Sequence, residues 1–201
     1  MEKELVINGI KYVRYEEPKE YKLYDLVKYN GYKWIVIKVK NNKLTLMMKD
    51  CLSKDKMKKI FKTKYLTDDY DIKHSSDDIC NDWNKTEIKR GLNDEFLKEF
   101  DKEDLIEMKT NYDEDKYSFD YIRIPTVREI RILDLYKIKP DKDCWLMSPS
   151  YFYATLDFAI EWHFSSTGIL HYGWIVANGF GARPVITLKS DNLNIEKVGT
   201  V

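Results

Sequence analysis

The sequence predicts an α+β domain, because runs with the alternation of β-strands occupy both ends of the chain and helical periodicity lies between them. The length of 201 residues suits one domain, and no linker rich in Gly, Ser or Pro interrupts it. We expect a single domain over residues 1–201, with an N-terminal hairpin extension (1–21), a core (22–190) and a tail (191–201). The N- and C-terminal strands should pair in one antiparallel sheet, beside two or three helices and long irregular loops.

Turn signals divide the N-terminal part of the chain into short strands. "LVINGIKYV" contains two β-like runs on either side of Asn8–Gly9, a pair that favours a type I′ hairpin turn. Asn30–Gly31 and Asn41–Asn42 join three further runs into a meander. The middle run, "YKWIVIKVK", is apolar on both faces for most of its length. This pattern is typical of a central strand that is covered on both sides.

Helical periodicity begins at Trp83, after a polar stretch over residues 50–82 that we expect to be an irregular surface excursion. Apolar residues then recur at helical spacing, and Gly91–Asn93 should divide the region into two short helices. Asp101 is placed to cap a further turn. Residues 109–120 are predicted to be a charged loop.

A capping box marks the next helix. Thr126 is followed three positions later by Glu129, so that each side chain can accept a hydrogen bond from the other residue's backbone N–H. This helix should extend over about residues 127–136. The chain then returns to short β-like runs, which read "CWLMS", "FYATLDFAIEW", "YGWIVAN" and "RPVITL".

Composition excludes several functional classes. Lys and Arg balance Asp and Glu at 34 each, so no global field favours nucleic acid as a partner. The three cysteines are scattered without a C-x-x-C pair, which favours reduced, buried thiols. No run approaches the roughly 18 apolar residues that a membrane-spanning helix needs, so we expect no membrane insertion. With no apolar segment typical of a signal peptide, we expect the chain to be made in the cytoplasm.

Several short motifs, taken in order, carry a resemblance. They are the strand motif of Tyr32, Trp34 and Val36, then "WNKTEIKRGLNDEFLKEF", "PTVREI", "CWLMSP" and "GFGARPVITL". Together they resemble a family of uncharacterised bacterial and phage domains with the signature W-x-x-S-x-L-R-x-W-L-N-x-x-F, then W-L-R-S, then G-V-R-P-A. The resemblance covers roughly residues 22–190.

Those domains are similar to the C-type-lectin-like fold of formylglycine-generating enzymes and of the variable ligand-binding proteins of diversity-generating retroelements. The resemblance therefore implies a single C-type-lectin-like domain whose C-terminal region faces a ligand. This chain departs from the signature at Thr86, which replaces Ser, at Gly91, which replaces Trp, and at Met147, which replaces Arg. One member of a polar pair of arginines is thus missing.

Aromatic residues are dense in the C-terminal region, and aromatic side chains anchor interfaces at low entropic cost. We expect a non-enzymatic binding module, a phage or prophage virion component or surface-recognition protein. Its partner would be a protein or carbohydrate surface ligand, or neighbouring virion subunits, and it could form a homo-oligomer. The ligand-binding residues expected here are Tyr151, Tyr153, Trp162, His163, His171, Tyr172, Trp174 and Asn178.

Two alternatives stay open: a structural decoration or assembly protein of a virion, and an enzyme related to the formylglycine-generating group. The enzyme would need two closely placed thiols, and Cys144 has no evident partner in the sequence. His163 and His171 do not form a recognisable zinc-ligand set, and no calcium-dependent sugar motif occurs. We therefore expect no catalytic residues, no metal and no cofactor.

Arg183 stands directly before Pro184 and a strand-like run, downstream of Gly179 and Gly181. Proline favours an extended conformation for the residue before it, and the glycines would let backbone approach closely. A buried arginine needs carbonyl or carboxylate acceptors for its planar fork. We expect Arg183 to be structural, together with Gly179 and Gly181 and with the tryptophans Trp34 and Trp83.

Overall fold

The computed structural model describes residues 4–7, 10–13, 20–69, 71–73, 82–153, 158–175 and 179–201. Side chains are described for residues 20–69, 71–72, 82–148, 162–171 and 179–201. Asn178, one of the expected ligand-binding residues, lies outside the described residues.

The described part of the chain contains strands and short helices. The strands are β1 (Glu4–Ile7), β2 (Ile10–Val13), β3 (Asp25–Tyr29), β4 (Tyr32–Lys40), β5 (Lys43–Met48), β6 (Ile72–Lys73), β7 (Met108–Asn111), β8 (Tyr117–Asp120), β9 (Cys144–Tyr153), β10 (Phe158–Phe164), β11 (Leu170–Ile175), β12 (Gly179–Phe180), β13 (Val185–Lys189) and β14 (Glu196–Thr200). The α-helices are α1 (Lys54–Ile60), α2 (Glu87–Arg90), α3 (Val127–Arg131) and α4 (Leu135–Ile138). Single 3-10 turns occupy Thr63–Tyr65, Trp83–Lys85 and Phe96–Glu99, and Gly91–Glu95 is a π-helical segment.

The main sheet has the order β13-β5-β4-β3-β14 and is antiparallel throughout. It pairs strands from the two ends of the described core, which confirms the α+β prediction. β4 is central and covered on both faces, as its sequence indicates. Trp34 and Val36 pack into one hydrophobic core, and Ile35 and Ile37 pack into a second core on the opposite face.

The two turns of the meander are confirmed. Asn30 and Gly31 adopt φ values of 50° and 77°, and Asn41 and Asn42 adopt 50° and 59°. These left-handed conformations are those that a type I′ hairpin turn requires. Residues Ile7 and Ile10 pair directly, so β1 and β2 also form the expected hairpin.

A three-stranded sheet of order β11-β10-β9 lies beside the main sheet. A β-bridge between Cys144 and Gly181 connects this sheet to the segment that precedes β13. At the same place the backbone N–H of Trp145 donates to the carbonyl of Gly181 at 3.0 Å. Short β12 pairs with β6, so the segment before Arg183 is held on both sides.

Trp83 and Asn93 hold the helical region against the β7–β8 hairpin. Trp83 is buried, and its indole N–H donates to Asp120 at 3.1 Å. The Asn93 amide donates to the carbonyls of Lys89 and Ile122 and accepts from the N–H groups of Tyr121 and Ile122. These contacts give the tryptophan and asparagine of the "WNKTEIKRGLN" motif a packing role.

Two predicted loops contain regular structure. The stretch over 50–82 includes α1, whose N-cap Ser53 accepts a hydrogen bond from the N–H of Lys56, and β6. Only Met57 and Ile60 of α1 are buried, which is too few apolar positions to produce a visible helical period. Residues 109–120 form most of the β7–β8 hairpin.

Three predicted boundaries are also corrected. Gly91 keeps right-handed helical angles, so the helical path continues through it; a Cβ there would collide with the ring of Phe61. The capping box of α3 is present, but the helix ends at Arg131, since Asp134 caps a new helix, α4. The expected tail contains β14, an edge strand of the main sheet. Within the described residues, no helix is long and apolar enough to cross a membrane.

Candidate functional site

The structure gathers most of the expected ligand-binding residues on one sheet. Tyr151 and Tyr153 lie on β9, Trp162 and His163 on β10, and His171, Tyr172 and Trp174 on β11. The side chains of the three tyrosines and of Trp174 lie outside the described residues. The geometry of the site therefore rests on Trp162, His163 and His171.

His163 belongs to the interior of the molecule. It is 2% exposed and lies between two parallel rings, with centroid distances of 5.0 Å to His171 and 4.5 Å to Phe180. Burial and then the neighbouring His171 lower the pKa of His163 to about 4, against a smaller opposing effect of Asp143. His163 is thus a neutral core residue at neutral pH, and a ligand cannot reach it without rearrangement of the fold.

Trp162 is half-buried and lines an open cleft of about 630 Å³. Its ring packs against the second core, and the guanidinium of Arg131 lies 4.9 Å from the ring centroid. The cleft is formed by the β7–β8 turn, by α3 and by parts of β9 and β10. Its lining residues are Asn111, Tyr112, Asp113, Glu114, Thr126, Val127, Arg128, Arg131, Ile132, Ser148 and Trp162.

The wall of the cleft formed by α3 is fixed by hydrogen bonds. Glu129 accepts from the backbone and hydroxyl of Thr126 and from both terminal nitrogens of buried Arg123. Burial alone would raise the pKa of Glu129, but the charge of Arg123 and these hydrogen bonds hold it below its ordinary value. The N–H of Val127 donates to the Ser148 hydroxyl at 3.2 Å, which joins α3 to β9.

The cleft carries free positive charge. Arg128 and Arg131 are exposed, and neither makes an ion pair in the described part of the chain. Asp113 pairs with Lys116 at 3.0 Å across the β7–β8 turn. The cleft therefore combines an aromatic wall, two guanidinium groups and amide and hydroxyl groups, which is the mixture of apolar surface and placed polar groups that ligand sites use.

Sequence reasoning identified Trp162 but missed the rest of this cleft. Asn111–Glu114 was predicted to be loop, and α3 was recognised only as a helix. Arg128 and Arg131 lie three apart on this helix, and Asp134 is the only acidic residue at helical spacing from either of them. This excess of basic residues is the signal that indicates a cationic face.

Arg183 is fully buried, and its planar guanidinium donates hydrogen bonds to backbone carbonyls at the ends of two elements. Its Nε donates to Met48 and one Nη to Lys49, both at 2.7 Å, and its other Nη donates to Ile138. Burial lowers the pKa of Arg183, with smaller opposing effects of nearby thiols and carboxyls. These contacts join the end of β5 and the end of α4 to the start of β13, which supports a structural role.

The glycines upstream of Arg183 occur where backbone is approached closely. A Cβ at Gly181 would lie 2.8 Å from the sulfur of Cys51, and a Cβ at Gly179 would collide with Thr67. Met147, which replaces the arginine of the resembling signature, is fully buried among apolar residues. Arg123 is a second buried arginine, although it binds Glu129 and does not contact the Arg183 fork.

The structure brings together two thiols that the sequence keeps far apart. Cys51 and Cys144 are free and buried, and the Sγ of Cys51 donates to the carbonyl of Lys142 at 3.7 Å. The neighbouring Cys144 thiol and then burial raise the pKa of Cys51 well above its ordinary value, so the thiol is a poor nucleophile at neutral pH. Cys144 thus has a partner that its sequence position did not reveal. Neither cysteine lines the Trp162 cleft.

Among the described residues, no group of three or more His, Cys, Asp or Glu side chains is arranged to hold a metal ion. His163 and His171 stack face to face, and the carboxylate of Asp143 lies 3.8 Å from His163 Nε2 while it accepts a hydrogen bond from the N–H of Ser166. This cluster stabilises the sheet by packing.

Replacing Arg183 with alanine should destabilise the fold strongly. Three carbonyls would lose their donors in the interior, which should lower the free energy of unfolding by roughly 3 kcal/mol or more. The corresponding fall in melting temperature is about 6–12 °C, measurable by circular dichroism. Exposed Arg128→Ala is the matched control and should change the melting temperature little. If Arg183→Ala leaves stability intact but abolishes ligand binding, the structural assignment is wrong.

The stability of the protein should depend on pH through His163. Its pKa is about 4 in the folded protein and near 6.5 in the unfolded chain, so the unfolded chain takes up the proton first as pH falls. The free energy of unfolding should therefore fall between about pH 6.5 and 4, by up to about 3 kcal/mol from this residue, and then level off. Urea titrations across this range should give a flatter profile for His163→Gln. Parallel profiles for the two proteins would refute the assignment.

Comparison of the chain with protein-family models, with curated protein sequences and with solved structures finds no match. The fold is therefore described from its own geometry, as a mixed α and β domain with mainly antiparallel sheets.

Proposed function

We propose that this domain is a non-enzymatic binding module and that its ligand binds in the Trp162 cleft. The observation that carries the proposal is the combination of a half-buried tryptophan with two arginines in one open cleft, one of which, Arg131, stacks on that tryptophan. Aromatic and arginine side chains are the residue types that most often contribute large binding energies at interfaces. The hydrogen bonds of the α3 capping box hold this wall in place before any ligand arrives.

The proposed setting comes from the motif resemblance. It favours a component of a phage or prophage virion, or a surface-recognition protein, with a C-type-lectin-like fold. The ligand would be a protein or carbohydrate on a surface. Association with a virion is part of this proposal.

A second candidate is a decoration or assembly protein, in which the same surface contacts a neighbouring subunit. Exposed apolar side chains favour it, since Ile132, which lines the cleft, is 77% exposed and Tyr136 of α4 is 81% exposed. Exposed apolar patches rimmed by polar residues often mark protein interfaces. The two candidates differ in whether the partner is a host-surface molecule or a virion subunit.

NMR titration tests the proposed site. The ¹⁵N-labelled domain would be titrated with a panel of short peptides and oligosaccharides. Ligands should shift the Trp162 indole N–H and the backbone amides of residues 111–114 and 126–132. Trp162→Ala should weaken their binding by about tenfold or more, because an aromatic anchor is lost.

Two further variants make this result interpretable. Trp162→Phe keeps most of the apolar packing, so it separates loss of ligand contact from loss of fold. Phe119→Ala removes an exposed aromatic ring outside the cleft and should leave binding unchanged. The proposal fails if the ligands shift a different surface, or if Phe119→Ala weakens binding as much as Trp162→Ala.

A further inference from the structure

The surface formed by α3 and α4 is both basic and apolar. We call it the α3–α4 face and define it by Arg128, Arg131, Ile132 and Tyr136. All four side chains are exposed, and Ile132 and Tyr136 expose 77% and 81% of their surface. Isolated exposed apolar residues are ordinary, but these two flank the junction of the two helices, with Ile132 as the C-cap of α3 and Tyr136 in the first turn of α4. The face continues into the Trp162 cleft, because Arg128, Arg131 and Ile132 line that cleft.

The charges around this face are unbalanced. The α3 and α4 segment carries four basic residues, Arg128, Arg131, Lys137 and Lys139, and of its two carboxylates Glu129 is ion-paired with Arg123. Glu129 is bound by Arg123, and Asp134 accepts the N–H of Tyr136 at 3.1 Å as the cap of α4. Lys137 lies 4.8 Å from the ring centroid of Tyr24.

Across the cleft, the carboxylates are those of the β7–β8 turn. Asp113 is paired with Lys116, and Glu114 makes no ion pair in the described part of the chain. The carboxylates of Glu114 and Asp134 are outnumbered by the four basic side chains of the α3 and α4 segment. The face therefore carries an excess of positive charge.

The geometry of the arginines fits an extended chain. Residues three apart on a helix have Cβ atoms about 5–6 Å apart. Alternate residues of an extended segment point to the same side and lie about 6.6 Å apart. Acidic side chains at alternate positions could thus each meet one guanidinium, and guanidinium and carboxylate groups form paired hydrogen bonds.

We propose that the α3–α4 face docks an extended acidic segment of a partner protein. Carboxylates of the segment pair with Arg128 and Arg131, and an apolar side chain beside them packs on Ile132 and Tyr136. The aliphatic surface of Ile132 favours a protein segment over a saccharide or nucleic acid, whose polar groups would gain little there. This inference rests on the proposed function, because it names the partner of the same cleft.

Selection from a displayed library of random heptapeptides on the immobilised full chain tests the inference. Enriched peptides should carry Asp or Glu together with an apolar residue. Synthetic copies should bind about tenfold more weakly to the double variant Arg128→Gln/Arg131→Gln, and added salt should weaken binding to the unchanged protein. The variant Ile132→Ser/Tyr136→Ser should also weaken binding about tenfold.

A control variant distinguishes binding at the α3–α4 face from nonspecific attraction to positive charge. Lys38→Gln/Lys40→Gln removes two exposed cations of β4 outside the face and should leave affinity unchanged. Melting temperatures should show that every variant is folded. All substituted residues are exposed, so large losses of stability are not expected.

Several outcomes would overturn the inference. Neutral or basic consensus peptides, no enriched peptide, or affinity that is unchanged by Arg128→Gln/Arg131→Gln would each do so. Tighter binding of oligo(dT), or of phosphatidylserine–phosphatidylcholine vesicles, with the same dependence on these arginines would replace the protein partner with a nucleic acid or a membrane. Neutral ligands that bind beside Trp162 would overturn this inference and leave the proposed function standing. Acidic peptides that bind this face without shifting Trp162 would refute the proposed cleft.

Discussion

The fold depends on the hydrogen bonds of one buried cation. The guanidinium of Arg183 donates to carbonyls of Met48, Lys49 and Ile138, so one side chain joins the ends of β5 and α4 to its own segment. Burying a charge is costly unless its donors are satisfied, and a carbonyl left without a donor carries its own penalty. Arginine suits this position because its planar fork presents several donors in fixed directions. Gly179 and Gly181 provide the close approach that lets the segment before it reach this position.

The same arrangement positions the proposed site. Pro184 and β13 follow Arg183 directly, and Val185 of β13 exchanges backbone hydrogen bonds with Arg123. Arg123 holds Glu129, and Glu129 completes the cap of α3, which forms one wall of the Trp162 cleft. Direct contacts therefore lead from the buried Arg183 to the exposed cations of α3. This arrangement places the proposed binding residues on a rigid support, which reduces the entropy that binding must overcome.

The sequence predicts those parts of the structure that depend on interactions between residues close together in the chain. The Asn30–Gly31 turn and the Thr126 cap depend on neighbouring residues, and both occur as predicted. The sequence does not predict α1, because only two of its residues, Met57 and Ile60, face the core. The cleft and the Cys51–Cys144 contact could not be predicted, since each joins segments that are distant in sequence. Trp162 was recognised as a binding candidate from aromatic density, whereas burial of His163 depends on packing that a single sequence does not reveal.

The central claim is that the planar set of N–H donors of the Arg183 guanidinium, and not merely its charge, stabilises the contacts between β5, α4 and the start of β13. Native-state hydrogen exchange of Arg183→Lys tests it most directly, because lysine keeps the charge and loses the planar set of donors. The reporters are the amides of Met48, Trp145 and Arg123, which donate to Pro184, Gly181 and Val185. We expect all three to lose protection together, by about tenfold or more, which corresponds to roughly 1.4 kcal/mol. Protection equal to that of the unchanged protein at all three amides would contradict the account.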